Sequence, residues 1–530
     1  DTREKRPQRP LKYAFALTLT DQGGRFQVNQ KDNKILRRRE RNIEKRLARD
    51  NYPDHDGPVM AASNIHYEMG EKTRAIGCGG IGAFHTLCQK TGLPHTINRK
   101  VNVFKRHLPY HESDHTLNIT YNALTGGRCL QDIEVHRTDE AFLDAVGAER
   151  IPDPTTAGDF SRRFEEPDVV DLMDAINETR ERVWRRNIPW RDRDEAIIDV
   201  DGMLAETTGE CKEGMDIAYN GIWGYHPLII SLANTGEPLY VVNRSGNRPS
   251  HDGAAPWIDR ATELTSRFFE RTSLRGDTDF SLTAHFDRWT ETGVRFAFGY
   301  DAMENLTDIA DGLPEGRWEP LERRDKNPPA EQERDRPENV KERIVEERGF
   351  KNLVLEAEHV AEFPYSPGKC ERTYRMIVLR KKIDVREGQT SLFDEERYFF
   401  YVTNIEEMEP AEVVFFNNDR CNQENLLEQL SNGLNAMRMP SGDLESNWAY
   451  MVMASLAWTL KAWFALHVWR RGDRSTLLRM EFRRFLRTIM QIPCQIVRGG
   501  RRLTYRILGY TRWTRTFLST FGRLRQTSYG

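Results

Sequence analysis

IIDVDGM, Ile197–Met203, is the stretch whose reading decides the fold. A β-branched apolar run leads straight into two acids, Asp199 and Asp201, the pattern of a buried strand. A carboxylate at the end of a buried strand is costly unless a cation, a donor or water meets it. Two later acids sit in comparable settings: Asp277 in SLRGDTDF and Glu424 in NDRCNQENLLEQL. The expectation is that Asp201, Asp277 and Glu424 converge to hold divalent metal. Three acids without thiolates suit Mg²⁺, which prefers carboxylate oxygens and keeps several waters. Paired divalent cations activate water and stabilise the leaving oxygen in phosphodiester cleavage.

Working outward, PLIISLANTGEPLYVVNR (Pro227–Arg244) reads as two strands joined by a turn at Asn234–Glu237. Ala254 to Phe269 carries Trp257, Ala261, Leu264 and Phe268 on one helical stripe. Thr272 to Asp277 reads as a short strand, Ser281 to Thr290 as a helix and Val294 to Tyr300 as a strand. The order β-β-β-α-β-α-β implies a mixed α/β fold with acids at strand ends. Asp311 to Gly349, charged and proline-studded, interrupts it as a surface excursion or linker. TYRMIVLRKKI and ERYFFYVTNI then read as strands of an insertion, with a sheet of its own or extending the main one. A helix starting near Asp419 would put Glu424 on one face with Leu427 and Leu434. The apolar run Trp448–Trp469 is long enough to span a membrane, but Lys461 near its middle and the lack of a second such run favour a core helix.

At 530 residues with 30% charged and 38% hydrophobic residues, the chain reads as soluble, globular and multi-domain. Its seven scattered cysteines imply no disulfide framework and a reducing compartment. Cys78, His85, Cys88 and His95 lack a close CxxC knuckle and read as ordinary core or surface residues rather than zinc ligands. Glycines 77, 79, 80 and 82 mark tight turns or close backbone approach, not a dinucleotide site. The net charge of -3 conceals an arginine-dominated stretch from Arg470 onward, interleaved with aromatics such as Phe482, Tyr505 and Trp513. Charge of one sign in one segment points to a polyanion, and the aromatic interleaving to nucleic acid. The basic run Lys34–Asp50 is either a DNA-contacting arm or a solvated helix.

The pieces IIDVDGM, YNGIWGYHPLIISLANTGEPLYVVNRSGN, LRGDTDFS and DRCNQEN together resemble the DDE transposases of bacterial insertion sequences, specifically the group numbered 1380. YHESDHTLNITYNALTGGRCLQDIE and PDPTTAGDFSRRF resemble the same group's N-terminal region, so the likeness spans roughly residues 60 to 470. It implies a ribonuclease H-like core with a β-rich insertion before the last acid. Asp201 would be the first acid, with Asp199 as fallback; Asp277 the second, with Asp279 as fallback; Glu424 the third. Arg420 matches the arginine of an R-x-x-x-E signature and would hold phosphate. Related enzymes often carry tyrosine and lysine where this chain has Asn417 and Ser431.

The implied organisation is a basic arm (1–60), a helical DNA-binding domain (61–190), the first part of a ribonuclease H-like core (191–305) and an insertion with charged linker and strands (306–405). The final part of the core (406–470) and a basic aromatic tail (471–530) complete it. Arg420, Arg244, Arg162 and Arg163 are the expected DNA contacts, and Trp289 and Trp318 are positional candidates for stacking on a flipped base. The expected activity is Mg²⁺-dependent cleavage of DNA at terminal inverted repeats and joining of the 3′-OH to target DNA, with Mn²⁺ as substitute metal. A homodimer on double-stranded DNA, no membrane association and a location at the nucleoid of a bacterial cytoplasm complete the expectation. The alternatives are a transposase-derived DNA-binding protein without catalysis and a nuclease that cuts without joining.

Overall fold

The computed structural model describes residues 28–47, 60, 62–70, 73–107, 109–323, 340–387, 390–499 and 502–529. The rest of the expected arm and the middle of the charged linker lie outside these residues. Eight strands build most of one large mixed sheet: β1 (Glu195–Gly202), β2 (Leu228–Leu232), β3 (Glu237–Val242), β4 (Arg271–Gly276), β5 (Arg295–Tyr300), β6 (Lys351–Tyr365), β7 (Tyr374–Glu387) and β8 (Thr390–Thr403). Their spatial order is 6-7-8-5-4-1-2-3, with the two-residue strand Glu319–Pro320 outside β6. β1, β4 and β5 run parallel, whereas β2 is antiparallel to both β1 and β3. All five residues of β2 and all six of β3 are buried, so both strands are covered on both faces and show no polar alternation, although β3 is the edge of the sheet. Gly236 takes φ +66 in the turn between them, a left-handed position that glycine adopts without steric cost.

The insertion extends this sheet and does not form one of its own. β8 pairs antiparallel with β5, from Phe400 opposite Tyr300 to Thr403 opposite Ala297. β6, absent from the sequence expectation, adds a third long strand. Its alternation is broken by exposed acids and by a bulge between Leu355 and Ala357.

Helices α1 (Glu112–Thr125) and α2 (Glu166–Asn187) belong to the N-terminal body, while α3 (Ala254–Ser266) and α4 (Thr283–Glu291) cross over between β3, β4 and β5. After the insertion come α5 (Pro410–Asn418), α6 (Cys421–Glu428), α7 (Leu444–Leu466) and α8 (Thr514–Gln526). α7 is apolar on all sides, and Ser446 through Leu466 are all buried, the environment such a helix requires. Its indole N–H groups reach the hairpin: Trp448 donates to Val241 O (2.5 Å), Trp458 to Gly236 O (2.6 Å) and Trp463 to Glu237 Oε1 (2.8 Å). Glu237 is fully buried, and Arg180 Nε (2.9 Å) and Trp184 Nε1 (3.0 Å) also donate to it. This one carboxylate therefore joins α2, β3 and α7, and its charge is tolerated because every contact is a donor.

The segment from 471 onward is not an appended tail. Cys494–Gly499 and Arg502–Ile507 form a hairpin whose first strand pairs with Ala75–Ile76. The backbone N–H groups of Gly79 and Gly80 donate to Ile492 O (2.8 Å) and Met490 O (3.0 Å). A Cβ on Gly80 would sit 2.3 Å from Ile489 O, so the glycine cluster exists for close backbone approach, and the two ends of the chain share one core. The basic helix Gln30–Leu47 also docks here, with Arg39 donating to Leu508 O and Gly509 O at 2.9 Å each.

Candidate active site

Register brings the acids together. β1 and β4 are parallel, and Asp199 lies opposite Arg275. Side chains two apart in a strand share a face. Asp201 and Asp277, each two residues further on, therefore follow the Asp199–Arg275 pair toward the carboxyl ends of adjacent strands. The two inner residues form a buried ion pair: Arg275 Nε meets Asp199 Oδ1 at 2.6 Å and Nη2 meets Oδ2 at 3.0 Å. Arg275 Nη1 also donates to Phe416 O at the end of α5 (2.8 Å). Asp199 is 1% exposed, and burial raises its pKa despite the opposing pull of Arg275. With both oxygens committed to the fork, Asp199 is a structural acid, and Asp277 does not pair with Arg275.

Asp201 is half-buried at the open end of β1. Arg420 Nη1 lies 3.0 Å from Asp201 Oδ2 and 3.9 Å from Asp277 Oδ2. The guanidinium therefore bridges the two carboxylates. Burial pushes the Asp201 carboxyl up to about 7; Arg420 opposes the rise, and the carboxylates of Asp277 and Glu424 add to it. Asp277 is also raised, by burial first and by Asp279. Its Oδ1 accepts the Asp279 N–H (3.1 Å), which makes Asp277 the cap of the turn after β4 and leaves Asp279 exposed beyond it.

Glu424 belongs to this cluster electrostatically, but not through an apolar helical face. The helix runs from Pro410, breaks at Asp419–Arg420 and restarts as α6. It then passes into a π-helical turn at Gln429–Gly433. Steps of three and seven hold a face only in a continuous α-helix. Leu427 and Leu434 are buried while Glu424 is exposed. The inward residue is its neighbour Gln423, whose Nε2 donates to Asp199 O and Ile229 O at 3.1 Å each, fastening α6 across β1 and β2. Asn417 is buried and donates to Gly276 O (3.2 Å) and Ala297 O (2.8 Å), fastening α5 across β4 and β5. Gln423 did not stand out in the sequence, because a buried amide on a helix carries no local pattern.

The chain belongs to the transposase DDE domain group 1 family. The family model matches residues 74–529, a span that contains Asp201, Asp277, Arg420 and Glu424 as well as the C-terminal hairpin. Among solved structures, a piggyBac transposase synaptic complex with hairpin DNA is similar at 11% identity and a TM-score of 0.36, covering 78% of this chain and 82% of that one. That likeness is too loose to transfer any residue. No curated protein sequence matches.

The other expected contacts of this DDE-family chain fall elsewhere. Arg244 is buried, and its Nε and Nη1 donate to the carbonyls of His226 (2.9 Å), Ser250 (2.9 Å) and Asp252 (2.7 Å). It braces the loop after β3 rather than standing at the surface, where a DNA contact was expected. Arg162 and Arg163 are exposed in the helical body; Arg162 pairs with Asp159, and Arg163 lies 5.2 Å over the Phe104 ring. Trp289 is 1% exposed and donates to Asp259 Oδ1 (2.9 Å), and Trp318 is buried beneath the Arg380 guanidinium (4.2 Å). Neither indole is presented to a base. His85 and Cys88 pack against Tyr121, with His85 Nδ1 3.1 Å from its hydroxyl.

Proposed function

We propose that the protein is a DNA transposase of the ribonuclease H-like type, related to the insertion-sequence group numbered 1380, and that Asp201, Asp277 and Glu424 are its metal-holding acids. The observation that carries this reading is the Arg420 bridge between Asp201 and Asp277 at the ends of parallel neighbouring strands, with Glu424 four residues beyond Arg420. The strand order 3-2-1-4-5 within the sheet, with β2 reversed, supports the fold. An all-carboxylate donor set fits Mg²⁺ or Mn²⁺. The raised carboxyl of Asp201, crowded by two others, marks a place where a divalent cation would relieve charge repulsion. Bound there, such cations would lower the pKa of water and stabilise the leaving 3′-oxygen. Water attacks the phosphorus at the element end and the 3′-oxygen departs as a hydroxyl. That 3′-OH then attacks a phosphorus of the opposite strand or of target DNA, releasing a second 3′-oxygen. With a cation held by Asp201 and Asp277, the planar fork of Arg420 would be free to meet the transferring phosphate.

The substrate is double-stranded DNA bearing terminal inverted repeats, two ends being held by a homodimer in a bacterial cytoplasm. Arg162 and Arg163 contact its backbone from the helical body. Cleavage of end DNA in Mg²⁺ tests the reading. Asp201→Asn, Asp277→Asn and Glu424→Gln should each lower the rate by on the order of 10²–10³-fold or more, the scale for removing one preorganised electrostatic group. A variant that keeps full activity removes its residue from the triad. Salt-dependent binding of end DNA without cleavage in either metal would favour the non-catalytic relative instead.

A further inference from the structure

A second cluster of metal-ligating side chains lies at the start of α1, in the N-terminal body. One donor atom from each of His107, His111 and Glu112 lies within 4.8 Å of the other two. His111 is the residue before α1, and its backbone N–H is fixed by Asp114 Oδ2 (2.9 Å). The Ser113 N–H is fixed in turn by Asn98 Oδ1 (2.8 Å). Two of the three side chains therefore project from pinned backbone.

Glu112 is the telling residue. It is fully buried. Oε1 accepts the Phe104 N–H (3.2 Å) and faces His107 Nε2 at 3.3 Å; Oε2 lies 3.2 Å from the same ring nitrogen, outside good hydrogen-bond geometry. A buried carboxylate oxygen met only by one exposed imidazole is poorly compensated. The two imidazoles beside it are exposed and stacked face to face, with centroids 4.8 Å apart and planes 14° from parallel. Two imidazoles and one carboxylate, open to solvent on one side, form a three-ligand transition-metal set with a free fourth position.

We propose that His107, His111 and Glu112 form a divalent transition-metal site that takes Zn²⁺ and pins the segment before α1 to the first turn of that helix. Zinc donors in a tetrahedral site stand about 3.4 Å apart. The bound ion satisfies Glu112 Oε2. The site stiffens α1, which is tied to the core helix by the Thr120 hydroxyl donating to Met453 O (2.9 Å). It is separate from the acid cluster and differs in chemistry: imidazole favours Zn²⁺, whereas the carboxylate triad favours Mg²⁺.

The test uses full-length protein stripped of metal, in wild-type form and with Asp201→Ala, Asp277→Ala and Glu424→Ala combined. Both forms should take up one equivalent of Zn²⁺ in a titration and show a rise in Tm on adding it. Co²⁺ in its place should give visible absorption that Zn²⁺ abolishes. His107→Gln with His111→Gln should lose the uptake, the absorption and the Tm rise on adding Zn²⁺, each variant being compared with its own metal-free melt. His107→Gln alone, should the double variant fail to fold, should weaken Zn²⁺ binding at least tenfold. Wild-type protein that binds no Zn²⁺, or a histidine variant that binds it unchanged, would overturn the proposal.

Discussion

Asp199 and Asp201 stand two positions apart on one strand and have opposite roles. Arg275 holds both oxygens of Asp199 in the interior, so removing the arginine strands a buried carboxylate. Arg275→Ala should destabilise the fold by about 3–5 kcal/mol, read from denaturant unfolding. Asp201 behaves in the reverse sense. Its folded pKa of about 7 exceeds the 3.8 of an unperturbed carboxyl. The folded state therefore keeps a proton that the unfolded state releases, and the stability this contributes is lost as pH rises from about 4 through 7. Metal-free protein should lose on the order of 3 kcal/mol across that window through this group. Asp201→Asn should flatten the dependence and leave the metal-free protein at least as stable as wild type at pH 8. An unchanged pH slope in that variant would contradict the assignment.

At the scale of elements, one histidine links the end of α7 to Tyr529. His467 Nδ1 donates to Trp463 O (2.7 Å), and the Tyr529 hydroxyl meets Nε2. Burial lowers its pKa to about 4, below the unfolded value of 6.5. The stability it contributes is present above pH 6.5 and is lost as pH falls toward 4. An acid titration should show a loss of about 3 kcal/mol over that range, reduced in His467→Phe. Much of the element order was legible in sequence: the hairpin Asn234–Glu237, the crossover helices and the parallel strands after Thr272 all carry strong periodicity or turn chemistry. Asp201 stood out in the sequence because it follows the apolar run of β1. What stayed hidden had no local signature. β6 alternates too irregularly to stand out. The π-helical turn after α6 takes Leu434 out of register with Glu424, and within α6 it is Gln423 that turns inward. Arg244 looked like a surface cation, but its partners are carbonyls that only the folded loop supplies.

Over the whole molecule, the chain's two ends close on each other. Residues 75–80 pair with residues 489–495, and the apparent basic tail is part of the N-terminal body. Gly80→Ala places a Cβ 2.3 Å from Ile489 O and should cost about 1–3 kcal/mol through forced backbone movement. Proteolysis within the 494–507 hairpin should accelerate in that variant. The acid site lies on strands that α5 and α6 clamp with Asn417 and Gln423. If Asp201, Asp277 and Glu424 hold divalent metal in the space that Arg420 bridges, anomalous diffraction from crystals soaked in Mn²⁺ should show a Mn²⁺ peak within bonding distance of Asp201 and Asp277, with Arg420 displaced from their oxygens. Saturating Mn²⁺ that leaves Arg420 paired with Asp201, with no peak at either carboxylate, would contradict it.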